Sequence, residues 1–181
     1  MQIKWYVWLS VGIGFLIALY HVEVGPWGAA SVGKYNEGYG TFDMKRYTFE
    51  DVKHVLGKMQ PEGFLQSYRY YVCDSIFILF FGALQLMISI TLYPKGQSSK
   101  IMTLCGGIAI ALPILRGVFD MIENGLLCYT IKSYPTVKEI VINMASFATR
   151  CKLMCIRIWG LFAVIGLIHT CLTFILKGKN I

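Results

Sequence analysis

Four runs of the chain are apolar almost without interruption, at about residues 5–22, 72–93, 101–122 and 153–176. Each approaches the roughly 20 residues that an α-helix needs to cross about 30 Å of bilayer hydrocarbon. Lys4 precedes the first run, Pro94 follows the second, Lys100 precedes the third and Lys152 the fourth, so every run has a polar or helix-stopping border. The pattern predicts an all-α fold, an integral membrane four-helix bundle formed as a single domain over 1–181. Trp5, Tyr6 and Trp8 open the first run as an aromatic belt, which reads as a retained interface anchor rather than a cleaved signal segment.

One sizeable polar region interrupts this pattern, an extramembrane loop at about 23–70. It opens with Gly25, Gly28, Gly33, Gly38 and Gly40, a glycine density that predicts a flexible or tightly turning stretch. Thr48 followed by Asp51 is a capping-box start for a short helix. Phe49, Val52, Val55, Leu56 and Met59 share one face of that helix, so it lies either in the membrane interface or against the outer end of the bundle. Pro61 suits the first turn of a helix that begins well before the second apolar run. A second box, Thr136 with Glu139, predicts a helix of about 40 residues running through the fourth run, twice what a bilayer requires. Ser98 or Ser99 is the expected cap of the third.

Composition agrees: 56% hydrophobic and 15% charged residues exclude a water-soluble globule and a disordered chain. The net charge of +7 comes from 17 Lys and Arg dispersed at segment ends, as suits lipid phosphate. No basic stripe is interleaved with aromatics, so no nucleic acid is expected as a partner. The six cysteines fall in or beside apolar runs and read as small packing residues; Cys151 and Cys155, one turn apart, lack the second ligand pair of a metal site. Lys4, Lys95, Lys100, Lys177 and Lys179 flank the side that holds both termini, which favours a cytoplasmic location for them, against Lys132, Lys138, Arg150 and Lys152 on the other side.

Charged side chains within such runs are costly, and their depth is informative. Measured from Ile101 at about 1.5 Å per residue, Arg116 lies about 22 Å into the third helix, Asp120 about 28 Å and Glu123 about 33 Å. Arg116, Asp120, Glu123 and Asn124 share one helical face by their spacing. Asp74 opens the second run at that level, Lys152 and Arg157 open the fourth, and His21 closes the first near Tyr68, Tyr70 and Tyr71. Two readings stand: a neutralised network with Arg116 on Asp120 that fixes helix register, or a binding or catalytic site whose carboxylates suit a hard metal ion. Pro113 frees the carbonyl of Ala109, and Gly107 with Ala111 offers a surface for close helix approach. His169 reads as a packing residue, and the inner half of the bundle offers no continuous polar route. No hydrolase, redox or nucleotide motif is present, and no cofactor is expected.

The order of Tyr47, Phe49, Glu50, Asp51 and Val52, then Leu56-Gly57, Asp74, Leu112-Pro113, Phe119, Asp120, Glu123 and Asn124, Tyr134-Pro135, Ala145, Ser146, Thr149 and Lys152 resembles an uncharacterised family of small four-helix integral membrane proteins of bacteria and some eukaryotes. The resemblance implies the same fold and points to Asp74, Pro113, Asp120, Glu123, Asn124 and Lys152. Where that family carries Gly-Arg before its second helix, this chain has Gly63-Phe64. The sequence thus leads to a small multi-pass protein, non-enzymatic, either an accessory subunit or a lipid-interacting protein, with membrane lipid as partner and a protein partner or a second copy of the chain beside it. The alternative is a membrane enzyme or transporter acting on a lipid headgroup through the carboxylates.

Overall fold

A computed structural model describes residues 3–94 and 99–178. Lys95, Ser98 and Lys179 lie outside the described residues, as does the side chain of Lys177. The chain forms α1 (Trp5–Glu23), α2 (Ala29–Gly33), α3 (Phe49–Lys58), α4 (Pro61–Leu92), α5 (Lys100–Ser133) and α6 (Glu139–Gly178), with no strand among the described residues. α1, α4, α5 and α6 are long and apolar enough to cross a membrane. The protein is an all-α multi-pass membrane protein built on a four-helix bundle.

Local chemistry sets the element ends. Pro61 occupies the first turn of α4, where its missing N–H leaves no helical bond unmade. The hydroxyl of Ser99 accepts from the Met102 N–H at the start of α5. In α3 the Thr48 hydroxyl accepts from the Asp51 N–H while the Asp51 carboxylate accepts from the Thr48 N–H, the reciprocal box expected from the sequence. The Thr48 hydroxyl, donating to the Asp51 carboxylate, and after it the Thr48 N–H hold this exposed carboxyl below its ordinary range. The second box does not form. α6 begins at Glu139 rather than after Thr136, because the Thr136 N–H is taken by the Ser133 carbonyl at 2.8 Å and the Val137 N–H by the Pro135 carbonyl at 2.9 Å. The first helical carbonyl is therefore that of Lys138, which accepts from Val141 and Ile142.

Contacts fix the directions. On α4, moving back from Ser89 to Asp74 moves the partners on α5 forward from Ala109 to Asn124, the mark of an antiparallel pair. Asp120 and Glu123 meet Lys152 and Thr149, so α5 and α6 are antiparallel as well. α4 and α6 run parallel, with Ser89 beside Trp159 and Tyr93 beside Phe162. α1 packs mainly on α4, Phe15 touching Phe77 and Phe81. The close approach of α4 and α5 uses Gly106, not Gly107. A Cβ at Gly106 would lie 2.8 Å from the Cβ of Tyr93, whereas Gly107 has open space around it and Ala111 is exposed. The sequence points to Gly107 with Ala111; the helix phase that buries Met102 and Ala109 turns Gly106 inward instead.

Pro113 leaves the Ala109 carbonyl without its helical donor, and a neighbouring helix supplies one. Ser89 Oγ lies 2.8 Å from that carbonyl and accepts from Trp159 Nε1 at 3.0 Å. Three helices thus meet at one hydroxyl, with no water in hydrocarbon to replace it. Ser89→Ala is expected to destabilise by about 1–3 kcal/mol, since it strands a carbonyl and an indole N–H together. Thermal unfolding in detergent checks this, and a variant as stable as the parent would remove the role assigned to Ser89.

The main hydrophobic core lies at one end of the bundle. Val22, Val32, Phe42, Tyr47, Val52, Leu56, Tyr71, Leu127, Ile131, Ile142 and Ala145 are buried together there. Among the described residues, Tyr93, Met102 and Ala109 form a smaller buried cluster toward the opposite end. Between them, large apolar side chains such as Leu16, Leu79, Leu104, Ile114, Leu161 and Ile168 face outward, as lipid requires. Counting about 20 residues back from Leu92, or forward from Lys100, reaches Cys73 and Phe119. Beyond those levels α4, α5 and α6 project past the hydrocarbon and, with α3 and the glycine-rich loop, form a cap. The apolar face of α3 packs on protein here: Val52 and Leu56 are almost completely buried in the core that includes Ile142 and Ala145. Of the two placements open to this helix, the structure selects the end of the bundle.

Candidate functional site, a charged layer beneath the cap

Helix phase and depth bring one face of α5 to the junction of membrane and cap, where Arg116, Asp120, Glu123 and Asn124 are all buried. Lys152 enters from α6 and is 2% exposed. Its Nζ lies 2.7 Å from Asp120 Oδ1 and 2.6 Å from Glu123 Oε2. Asp43, in the loop, completes the set with a short ion pair to the same Nζ. Three carboxylates from two parts of the chain therefore surround one ammonium.

Each member has further partners. Asp120 Oδ2 pairs with Arg116 Nη2 at 2.6 Å. The Arg116 guanidinium also lies 4.4 Å from the ring centre of Phe81, while its Nε and Nη1 meet no acceptor among the described residues. The aromatic face partly replaces those hydrogen bonds. Glu123 is completely buried and its Oε1 accepts from Thr149 Oγ1 at 2.6 Å, with the Tyr47 hydroxyl at 3.4 Å. Ser146 Oγ donates to the Tyr47 carbonyl at 2.8 Å, anchoring the loop on α6. Burial, and after it the Glu123 carboxylate, hold the Tyr47 phenol well above its ordinary value, so it stays a neutral donor. Tyr70 OH reaches Asp43 Oδ2 at 3.3 Å, and Asn124 Nδ2 donates to Asp74 Oδ2 at 2.8 Å.

Asp43, Asp120 and Glu123 each present an oxygen within 4.8 Å of the others, the spacing of a hard-cation site. The Lys152 ammonium reaches all three oxygens at ion-pair distance and thereby fills the role of that cation. Beside it opens a partly enclosed cavity of about 210 Å³, lined by Glu23, Asp43, Tyr70, Asp74, Phe77, Phe81, Arg116, Asp120 and Lys152 among others.

Of the residues expected from sequence, Arg116, Asp120, Glu123 and Lys152 meet in one network, and Asp74 with Asn124 forms a hydrogen-bonded pair at its edge. Arg157 stands apart. Its side chain is exposed and makes no ion pair among the described residues. Depth alone placed it in the layer, but five residues beyond Lys152 it has turned away from the face that Lys152 presents. His21 is likewise exposed, edge-on to Tyr20, and takes no part. Asp43 is the residue that helical reasoning missed, since a loop position has neither depth nor phase to argue from. Thr149 lies one helical turn before Lys152, counting three residues, so the α6 periodicity was a signal that could have found it. Compared with known families, curated proteins and solved structures, the chain matches no family model, no curated protein and no solved structure.

Proposed function

We propose that the protein is a non-catalytic, lipid-interacting membrane protein. In this reading the charged layer clasps the cap onto the bundle and so shapes a pocket at headgroup depth. The observation that carries the reading is Lys152 Nζ held by Asp43 of the loop and by Asp120 and Glu123 of α5. A buried ammonium committed to three carboxylates is neither a free base nor an open metal site, and it joins loop, α5 and α6 at one point. The adjoining cavity lies at the level where about 20 residues of α4 and α5 exhaust the hydrocarbon.

We assign the face that holds both chain ends to the cytoplasm. Lys152 weighs little against that orientation, because its charge is met within the protein rather than displayed to the membrane surface.

The carboxylate triad favours a second reading, a hard metal ion at the centre of an enzyme acting on headgroups. Native mass spectrometry of the full chain released from mild detergent separates the two. The expected result is retained phospholipid with no stoichiometric metal. A divalent ion at one per chain that disappears in Glu123→Gln, with the fold kept, would overturn the first reading in favour of the second. Release of chains with neither lipid nor metal would overturn the lipid-interacting reading.

A further inference from the structure

Asp74 is the carboxylate of the layer that Lys152 does not hold. It is 3% exposed, its Oδ2 accepts from Asn124, and among the described residues its Oδ1 accepts no hydrogen bond and neither oxygen pairs with a cation. A buried carboxylate in that condition is costly unless it takes up a proton or a positive group meets it. Of the two cations nearby, Lys152 is engaged with Asp43, Asp120 and Glu123, and Arg116 pairs through Nη2 with Asp120 and faces the Phe81 ring; its Nε and Nη1 meet no acceptor among the described residues, Asp74 included. Asp74 lines the 210 Å³ cavity with Glu23 from the end of α1, Asp43 from the loop and the rings of Tyr70, Phe77 and Phe81. Acid in excess of base, with aromatic walls, is the chemistry that receives an organic ammonium, by ion pairing on one side and cation–π contact on the other.

We propose that this cavity holds the ammonium group of a zwitterionic phospholipid headgroup, ethanolamine or choline, against Asp74. The inference rests on the lipid-interacting reading above and narrows it to a headgroup class. Depth selects the source: Asp74 sits one residue inside the level, at Cys73, where about 20 residues counted from Leu92 end, so it lies at the hydrocarbon border, within reach of a phospholipid headgroup and where a wholly soluble amine has no anchor. An anionic lipid would bring no cation to Asp74, and of the charged groups lining the cavity the four acids Glu23, Asp43, Asp74 and Asp120 outnumber Arg116 and Lys152.

The test equilibrates the full-length protein in mild detergent with equimolar phosphatidylethanolamine, phosphatidylcholine and phosphatidylglycerol, and reads the retained lipid by native mass spectrometry. The wild type is expected to retain one ethanolamine or choline lipid per chain, about tenfold over the glycerol lipid. Asp74→Asn keeps the size of the side chain and leaves every Lys152 contact in place, so the fold is expected to survive while the preference falls below about threefold. Phe77→Leu, at the cavity wall, is the second variant and is expected to weaken the same preference without touching a charge. Retention of the glycerol lipid, or an unchanged preference in a folded Asp74→Asn, would overturn the proposal while leaving a lipid-interacting protein. Thermal stabilisation by millimolar free ethanolamine or choline without discrimination among the lipids would overturn the lipid source. Loss of all retained lipid in the wild type would instead defeat the broader reading.

Discussion

Lys152→Met is expected to be the most damaging single substitution in this protein, costing roughly 3–5 kcal/mol, the range for breaking a buried ion pair from one side. Methionine preserves much of the length and volume of lysine, so the loss is electrostatic. Without the ammonium, Asp43, Asp120 and Glu123 face one another with oxygens within 4.8 Å. Even at an effective dielectric constant near 20, two carboxylates at that separation repel by about 3 kcal/mol. Arg116 relieves Asp120 alone. Thermal unfolding in detergent should show the midpoint fall by about 6–20 °C, at roughly 2–4 °C per kcal/mol for a chain of this size. Trypsin should also gain access to Lys45 and Arg46, because Asp43, the loop's ionic tie to the bundle, loses its partner. Adding Asp43→Asn and Glu123→Gln to Lys152→Met should recover most of the stability, since a neutral site of similar shape is far less costly than an unpaired charge. A Lys152→Met variant within about 1 kcal/mol of the parent would show that the carboxylates do not depend on this cation.

What the sequence disclosed follows from which forces have a period. Apolar runs and the 3.6-residue repeat gave four spans, and the depth of Arg116, Asp120 and Glu123 along α5 placed a layer where the structure has one. Local rules located the Thr48–Asp51 box and the Pro61 start, because capping depends on residues three apart. They failed at Thr136, where a competing turn with Ser133 took the backbone N–H. Helix phase turned Gly106 inward where the sequence points to Gly107. The contribution of Asp43 was not legible at all. It is brought to Lys152 by the path of a loop across 109 positions of sequence, and the glycine-rich run leading to it has no periodicity to read. Lipid-facing helices added a further obstacle: most apolar side chains in the spans face outward, so hydrophobicity marks the spans without marking the core. The core is instead concentrated in the cap, where the sequence is least regular.

Asp120→Asn is the sharpest test of whether this layer is structural, and it too is expected to cost about 3–5 kcal/mol. Asp120 is the one carboxylate that touches both cations, Arg116 at 2.6 Å through Oδ2 and Lys152 at 2.7 Å through Oδ1. An asparagine amide has one accepting end and one donating end. Whichever way it turns, an N–H₂ group points at a guanidinium or at an ammonium, so one contact becomes donor against donor. Lys152 keeps Asp43 and Glu123. Arg116 keeps no carboxylate, and its Nε and Nη1 already have no acceptor among the described residues, which leaves the Phe81 ring as its remaining partner. The damage should therefore follow Arg116: in an Arg116→Met background, Asp120→Asn should cost clearly less than it does alone, a coupling that a double-mutant cycle reads directly. Unfolding of the four proteins of that cycle in detergent gives the number. A folded Asp120→Asn whose stability matches the parent, but which no longer retains lipid, would identify Asp120 as part of the binding site and would withdraw the clasp from this layer.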